Sequence, residues 1–210
     1  MTYRGIKIKM KIVINHLIVW VRKGSTVLQA CEAIGEKIPR FCYHKKLFIA
    51  GNCRMCLVEV GNSPKPQVSC ALPFLSNMNI FTNSSLVCKA RESVLEFILL
   101  NHPLDCPVCD QGGECDLQEQ NFHFGSDRGR FFFKKSSTGD TFWGTLVKTI
   151  MRRCIVCTRC VRYLDLIAGF SSVGVTNRGG HSEIGTFTEN PLITEISGGV
   201  IELCPVGWLP

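Results

Sequence analysis

From residue 6 the chain alternates, with Ile6, Ile8, Met10, Ile12 and Ile14 at one parity and Lys7, Lys9 and Lys11 at the other. A period of two puts each set on its own face of a pleated strand, so this stretch reads as half-buried β structure. A second apolar run, Leu17 to Val21, follows after only Asn15 and His16. That is hairpin spacing, although His stands where two-residue turns favour Gly. In "STVLQACEAIGEKIP" Thr26 and Gln29 have capping-box spacing, Leu28 and Ala30 to Ile34 supply apolar positions, and Gly35 suits the stop of a helix. Phe41 to Cys56 has no period and reads as loop, while "CLVEV" and "QVSC" read as short strands around the turn "GNSPKP". From Lys89 "ARESVLEFILLNH" turns helical, with Val94, Phe97, Ile98 and Leu99 as its apolar positions and Pro103 beyond its end. Ser126 to Gly144, with Gly, Ser and charge, reads as a connector, and the chain re-forms around "MRRCIVCTRCVRYLDLIAG" and "GGVIELCPVG".

Composition changes this picture through one residue type. Thirteen cysteines in 210 residues are an odd number, which fits a closed disulfide framework poorly and favours a reduced compartment and metal ligation. Eighteen consecutive apolar residues occur nowhere, so no spanning helix is expected, and the N-terminus lacks the features of a signal or transit peptide. The formal charge of +7 invites a nucleic-acid reading. The bases are scattered, however, and Arg54, Arg152, Arg153, Arg159 and Arg162 sit beside cysteines. Thiolate-bound iron-sulfur clusters would add about five negative charges when oxidised, leaving roughly +2. The basic balance then reads as local compensation, with no nucleic-acid partner.

The cysteines fall into sets. Cys42, Cys53, Cys56 and Cys70 are spaced C-x10-C-x2-C-x13-C, the logic of plant-type ferredoxins with a longer first loop, in which Gly51 lets the backbone wrap closely; zinc also uses C-x2-C pairs. Cys154, Cys157 and Cys160 with a remote Cys204-Pro205 follow the pattern of cubane clusters in bacterial ferredoxins. Five cysteines remain. Cys31 lies in the amphipathic helix and Cys88 has no partner spacing, so both read as small apolar residues. Cys106, Cys109 and Cys115 are one ligand short, and His102 is the nearest soft donor. Alone, His102 would read as a helix C-cap. The neighbouring "CDQGGECD" favours ligation, because two glycines would let backbone amides approach and donate to sulfur. His16, His44, His123 and His181 read as ordinary polar residues.

The motifs "PRFCYH", "GNCRMCLVEV", "NHPLDCPVCDQGGECDLQ", "VKTIMRRCIVCTRCVRY" and "ELCPVG" closely resemble the iron-sulfur region of the large peripheral-arm subunit of respiratory complex I, over about residues 10 to 207. The resemblance implies one 2Fe-2S cluster on Cys42, Cys53, Cys56 and Cys70. It implies a His-ligated 4Fe-4S cluster on His102, Cys106, Cys109 and Cys115, and an all-cysteine 4Fe-4S cluster on Cys154, Cys157, Cys160 and Cys204. The expected fold is α+β: a β-grasp ferredoxin-like domain over 1–87, a small helical segment with the His-ligated centre over 88–128, a linker over 129–144, and a 4Fe-4S ferredoxin-like domain over 145–210. The family continues into a molybdopterin-oxidoreductase-like domain, which would here be missing, removed or on another chain; a short form of this kind resembles the subunit encoded by some protist and algal mitochondria.

The function implied is a one-electron relay from a flavin-bearing, NADH-oxidising subunit towards quinone, with other peripheral-arm subunits as partners. Arg54 and Arg159, inside ligand loops, would favour the reduced clusters. No G-x-G-x-x-G follows a strand, so no NADH, flavin or quinone site is expected in this chain. The place implied is the matrix side of the mitochondrial inner membrane, or the cytoplasmic face of a bacterial plasma membrane. Two rivals remain at this point: the small diaphorase subunit of an NAD-linked hydrogenase or formate dehydrogenase, and a zinc-stabilised nucleic-acid-binding module.

Overall fold

The structure is a computed structural model that describes residues 9–61, 63–136, 138–187 and 191–209. Residues 6 to 8 of the expected first strand lie outside the described residues. The chain divides into two units, one of residues 1–40 and 54–92, the other of 41–53 and 93–210.

The first unit is a five-stranded mixed sheet. Strand β1 (Lys9–Ile14) pairs antiparallel with β2 (Leu17–Arg22), placing Ile12 opposite Val19 and Ile14 opposite Leu17. Asn15 and His16 both take positive φ, 47° and 69°, the handedness a two-residue turn needs to match strand twist. His16 accommodates it with its ring edge-on to Phe81, 5.4 Å away. Helix α1 (Val27–Ala33) begins with the expected reciprocal capping box of Thr26 and Gln29 and buries Val27, Leu28, Ala30 and Cys31. Strands β3 (Leu57–Val60) and β4 (Gln67–Val68) are antiparallel, and β5 (Asn79–Phe81) lies between β1 and β3, parallel to β1. The order β2-β1-β5-β3-β4, crossed by a helix after the first hairpin, is a β-grasp arrangement. Pattern reading missed β5, which is three residues long and owes its pairing to distant strands. It also took Leu17 to Val21 as one apolar run, yet β2 is an edge strand that buries Val21 and leaves Leu17, Ile18 and Trp20 exposed.

Helix α2 (Ser85–Asn101) starts four residues earlier than its periodicity indicates, with Ser84 Oγ accepting the Val87 N–H. Its buried positions include Val87, Arg91 and Leu95, spaced by four, whereas Phe97 is exposed. The second unit contains α3 (Asp116–Phe124), α4 (Arg159–Leu166), the hairpin β6 (Val173–Thr176) and β7 (Glu183–Thr186), and α5 (Gly199–Leu203). Helix α4 packs on α5 and β6. In the same unit Trp143 and Trp208, both buried, meet edge to face at 5.1 Å. Residues 129–144 contain no helix or strand among the described residues, but they are bonded down: Lys135 Nζ donates to the Leu99 and Leu100 carbonyls, and Asp140 accepts the Met151 N–H. No helix is long and apolar enough to cross a membrane among the described residues.

Candidate metal centres

Four of the donors singled out in the sequence, His102, Cys106, Cys109 and Cys115, line one cavity of about 240 Å³ in the second unit, together with Asp105, Gly112, Arg153 and Gly207. The local chain explains the convergence. Helix α2 ends at Asn101 and delivers His102; a single 3₁₀ turn at Cys106–Val108, with Pro107 inside it, presents Cys106 and Cys109; Cys115 is the N-cap of α3. At that helix end burial raises the Cys115 thiol, against the partial pull of the Leu117 and Gln118 amides towards thiolate. His102 is not a cap. The last α2 carbonyls are taken by Lys135, and the buried His102 Nδ1 has no hydrogen-bond partner. Burial, with Lys135 second, pulls the imidazole pKa down to about 4. A neutral ring with an orphaned lone pair beside three thiols is what a soft-metal ligand requires.

The two glycines of this loop do not give their own amides to sulfur. The Gly112 N–H donates to the Cys109 carbonyl and the Gly113 N–H to Gln118 Oε1, so neither amide serves sulfur. Their role is the turn: Gly113 has φ +95°, and a Cβ on Gly112 would lie 3.0 Å from the Cys106 carbonyl oxygen. Gly207 has the closer task. A Cβ there would come within 2.3 Å of Cys109 Sγ, so the backbone leading out of Cys204-Pro205 forms one wall of this cavity.

Cys154, Cys157, Cys160 and Cys204 line a second, much narrower cavity of about 10 Å³. Cys157 and Cys160 are buried. Val156 and Thr158, both β-branched, adopt positive φ of 51° and 61°, a conformation costing on the order of 1–3 kcal/mol each for such residues. The strained backbone at Val156 turns that residue's own N–H onto sulfur. The Val156 N–H donates to Cys154 Sγ at 3.3 Å, the Arg159 and Val161 amides lie towards Cys157 and Cys160, and the Cys204 thiol, with the Val206, Trp208 and Leu209 amides around it, donates to the Val206 carbonyl at 2.8 Å. Loss of hydration nevertheless pushes Cys154 and Cys160 well above the ordinary thiol range and Cys204 up to about 11. Amides arranged to stabilise thiolates, in a place where bare thiolates are disfavoured, fit a cationic iron-sulfide core.

Arginines join these surroundings. Arg153, buried, donates to Asp105, to the Gly207 carbonyl and to the Val108 carbonyl, and Arg152 shares the Asp105 carboxylate. Arg159 pairs with Asp116 and donates to the Leu203 and Tyr43 carbonyls. The sequence had placed these side chains beside cysteines; their reach across the fold carried no local signal.

Of the remaining set, Cys42 and Cys53 belong to the second unit and Cys56 and Cys70 to the first. Each pair sits on defined backbone. Gly51 has φ +66° and Arg54 φ 58°, on either side of Cys53. Cys56 precedes β3, and its carbonyl accepts both the N–H and the hydroxyl of Ser69, at 3.0 and 2.7 Å. The buried guanidinium of Arg91 donates to the adjoining Leu57 carbonyl at 2.8 Å. Cys31 is buried as expected, its thiol pushed up to about 12 by burial and Glu36. Cys88 is exposed on α2 and fills no core, contrary to its reading as a small apolar residue. Among the described residues no three His, Cys, Asp or Glu side chains converge on a single-ion position.

Known proteins match in the same order. Residues 9–85 match a family described as a 2Fe-2S iron-sulfur cluster binding domain, 91–130 the NADH-ubiquinone oxidoreductase-G iron-sulfur binding region, and 144–210 the ferredoxin-like domain of NADH-quinone oxidoreductase subunit 3. The chain is 58% identical over 200 residues to the NADH-ubiquinone oxidoreductase 75 kDa subunit of Reclinomonas americana, covering 95% of this chain and 29% of that protein. It is 60% identical over 189 residues to the mitochondrial NADH dehydrogenase [ubiquinone] iron-sulfur protein 1 of Solanum tuberosum, covering 90% and 26%. The corresponding polypeptide of the Rickettsia typhi NADH-quinone oxidoreductase, its G subunit, is 54% identical over 95% of this chain and 30% of its own length. The chain thus spans less than a third of these relatives. A crystal structure of an NAD+-reducing [NiFe]-hydrogenase superposes with a TM-score of 0.79 at 27% identity, covering 95% of this chain and 86% of that one. In sequence and in domain order, the chain is a homologue of the iron-sulfur region of the 75 kDa and G subunits of NADH-quinone oxidoreductase.

Proposed function

We propose that this chain relays single electrons within an NADH:quinone oxidoreductase, between a flavin-bearing subunit and the path to quinone. One 2Fe-2S centre is assigned to Cys42, Cys53, Cys56 and Cys70, one 4Fe-4S centre to His102, Cys106, Cys109 and Cys115, and one to Cys154, Cys157, Cys160 and Cys204. The observation carrying the assignment is that two complete four-donor sets each line a cavity of their own, in a chain 54–60% identical to subunits of that enzyme. The first set rests on its spacing and on the family matching residues 9–85.

The clusters supply one-electron chemistry with little change of geometry. The chain's residues do the rest. Cysteine sulfurs bind iron, the neutral His102 ring lowers the negative charge of its centre by one ligand, and amides and arginines offset the charge of the others. Exposed side chains such as Phe122 and Phe132 would be covered by neighbouring subunits, and the assembly would lie on the matrix side of the inner membrane as a peripheral part. The hydrogenase-type diaphorase reading has the solved structure in its favour, but at 27% identity against 54–60%. Anaerobic mixing tests the relay: NADH should reduce the centres of this chain only when its flavin-bearing partner is present. Reduction by NADH without that partner would contradict the assignment.

A further inference from the structure

Of the four arginines grouped near the second unit's cysteines, Arg152 and Arg153 share Asp105 and Arg159 faces Asp116. Arg162 differs. It is half-buried on α4 and makes no ion pair with a carboxylate among the described residues. Its hydrogen bonds go to neutral oxygens: the Thr158 carbonyl and hydroxyl, and the carbonyls of Phe48, Cys42 and Cys157. Two of those contacts share one atom, Nη2, which donates to the Cys42 carbonyl at 2.6 Å and to the Cys157 carbonyl at 3.2 Å. A guanidinium removed from water without an anion is costly, and carbonyl dipoles offset only part of that cost. The surroundings offer an anion in one form, thiolate bound to iron.

We propose that Arg162 is a positioning residue shared by two centres, the one that takes Cys42 as ligand and the one that takes Cys157. Its single positive charge serves both, and its Nη2 holds their ligand backbones together through one bridging hydrogen-bond pair. One-electron reduction adds a negative charge to either core without breaking a bond to protein, so a cation fixed between the two ligand strands stabilises both reduced forms. It also gives the two centres a short backbone connection, cysteine carbonyl to guanidinium to cysteine carbonyl. Among the described residues Arg162 contacts none of His102, Cys106, Cys109 and Cys115, and Arg153, which lines their cavity, is already paired with Asp105. This inference rests on the cluster assignment above.

The test is an EPR-monitored titration with dithionite of the cluster-loaded full chain in its assembled complex, comparing Arg162→Met and Arg162→Lys. Arg162→Met should make reduction of the Cys157 centre about tenfold less favourable, about 59 mV for one electron. The Cys42 centre should move in the same direction, and the His102 centre should stay within about threefold of its original equilibrium. Arg162→Lys, which keeps the charge, should restore most of both shifts. A tether with no electrostatic role would change cluster content but leave both midpoints in place, and that result overturns the inference. So does an equal shift of all three centres. Where Arg162→Met fails to load, pulsed EPR of the unaltered protein carrying guanidinium-15N arginine decides. A 15N coupling at the reduced Cys42 centre, lost in Arg162→Lys, supports the proposal; no coupling, or one unchanged in Arg162→Lys, refutes it. A preparation without iron and sulfide would instead fail at the cluster assignment itself.

Discussion

The cavity around His102, Cys106, Cys109 and Cys115 offers about 240 Å³ and leaves Cys106 exposed, whereas that around Cys154, Cys157, Cys160 and Cys204 offers about 10 Å³ and buries two of its sulfurs. Both lie in one unit and draw on the same backbone: the segment that leaves Cys204 ends as the Gly207 wall of the wider site. Their supporting chemistry differs. The narrow set has a strained backbone that turns the Val156 N–H onto Cys154, and the wide set has a neutral imidazole with an unpartnered Nδ1 among its thiols. With iron bound as proposed above, these would be two routes to reduce the burden of negative charge around it, one by hydrogen bonding and one by ligand type. The hydrogen-bonded set is enclosed; the set with the imidazole leaves Cys106 exposed.

The sharpest way to break this comparison is to remove a sulfur from the enclosed set. Cys157→Ala should abolish the EPR signal of the all-cysteine centre and spare that of the His102 centre, while Cys88→Ala should leave every signal intact. A smaller effect should appear under chelation. With iron loss followed by EPR in excess chelator, the His102 centre should bleach at least about tenfold faster than the enclosed one, because solvent reaches Cys106. Equal rates would remove the distinction between open and closed. His102→Cys should retain a cluster but make its reduction about tenfold less favourable, about 59 mV for one electron, and redox titration reads this directly. Gly207→Ala is the mildest. Its methyl would meet Cys109 Sγ at 2.3 Å, so the His102 centre should lose a fraction of its iron while the four ligands of the other remain in place.

Much of the architecture could be read from the chain alone where short-range rules decide. The Ile12 and Ile14 alternation, the Asn15-His16 turn and the Thr26/Gln29 capping box are local devices, and each took the form its pattern indicated. Elements assembled from distant partners were not legible. Strand β5 pairs with β1 more than sixty residues earlier in the chain, and Trp143, inside the stretch read as linker, is buried by Trp208. The start of α2 had a readable signal in Ser84, which periodicity alone overlooks. The grouping of His102 with Cys106, Cys109 and Cys115 around one cavity, and of Cys154, Cys157, Cys160 and Cys204 around another, followed residue type and spacing, which are written in sequence. The conformations of Val156 and Thr158 were not, since β-branched residues ordinarily avoid positive φ. Nor was the work of Gly112 and Gly113, whose amides serve a turn and a glutamine side chain instead of sulfur. Arg153 and Arg162 look like surface charge until the fold brings them against carbonyls at Val108 and Cys42.

What the twelve donors hold can be assayed directly. Iron and acid-labile sulfide should be determined on anaerobically purified protein together with low-temperature EPR of the dithionite-reduced sample. Three centres predict about ten iron atoms and about ten sulfides per chain, with three distinguishable reduced signals. A colourless protein that contains zinc and no labile sulfide would contradict the cluster assignment.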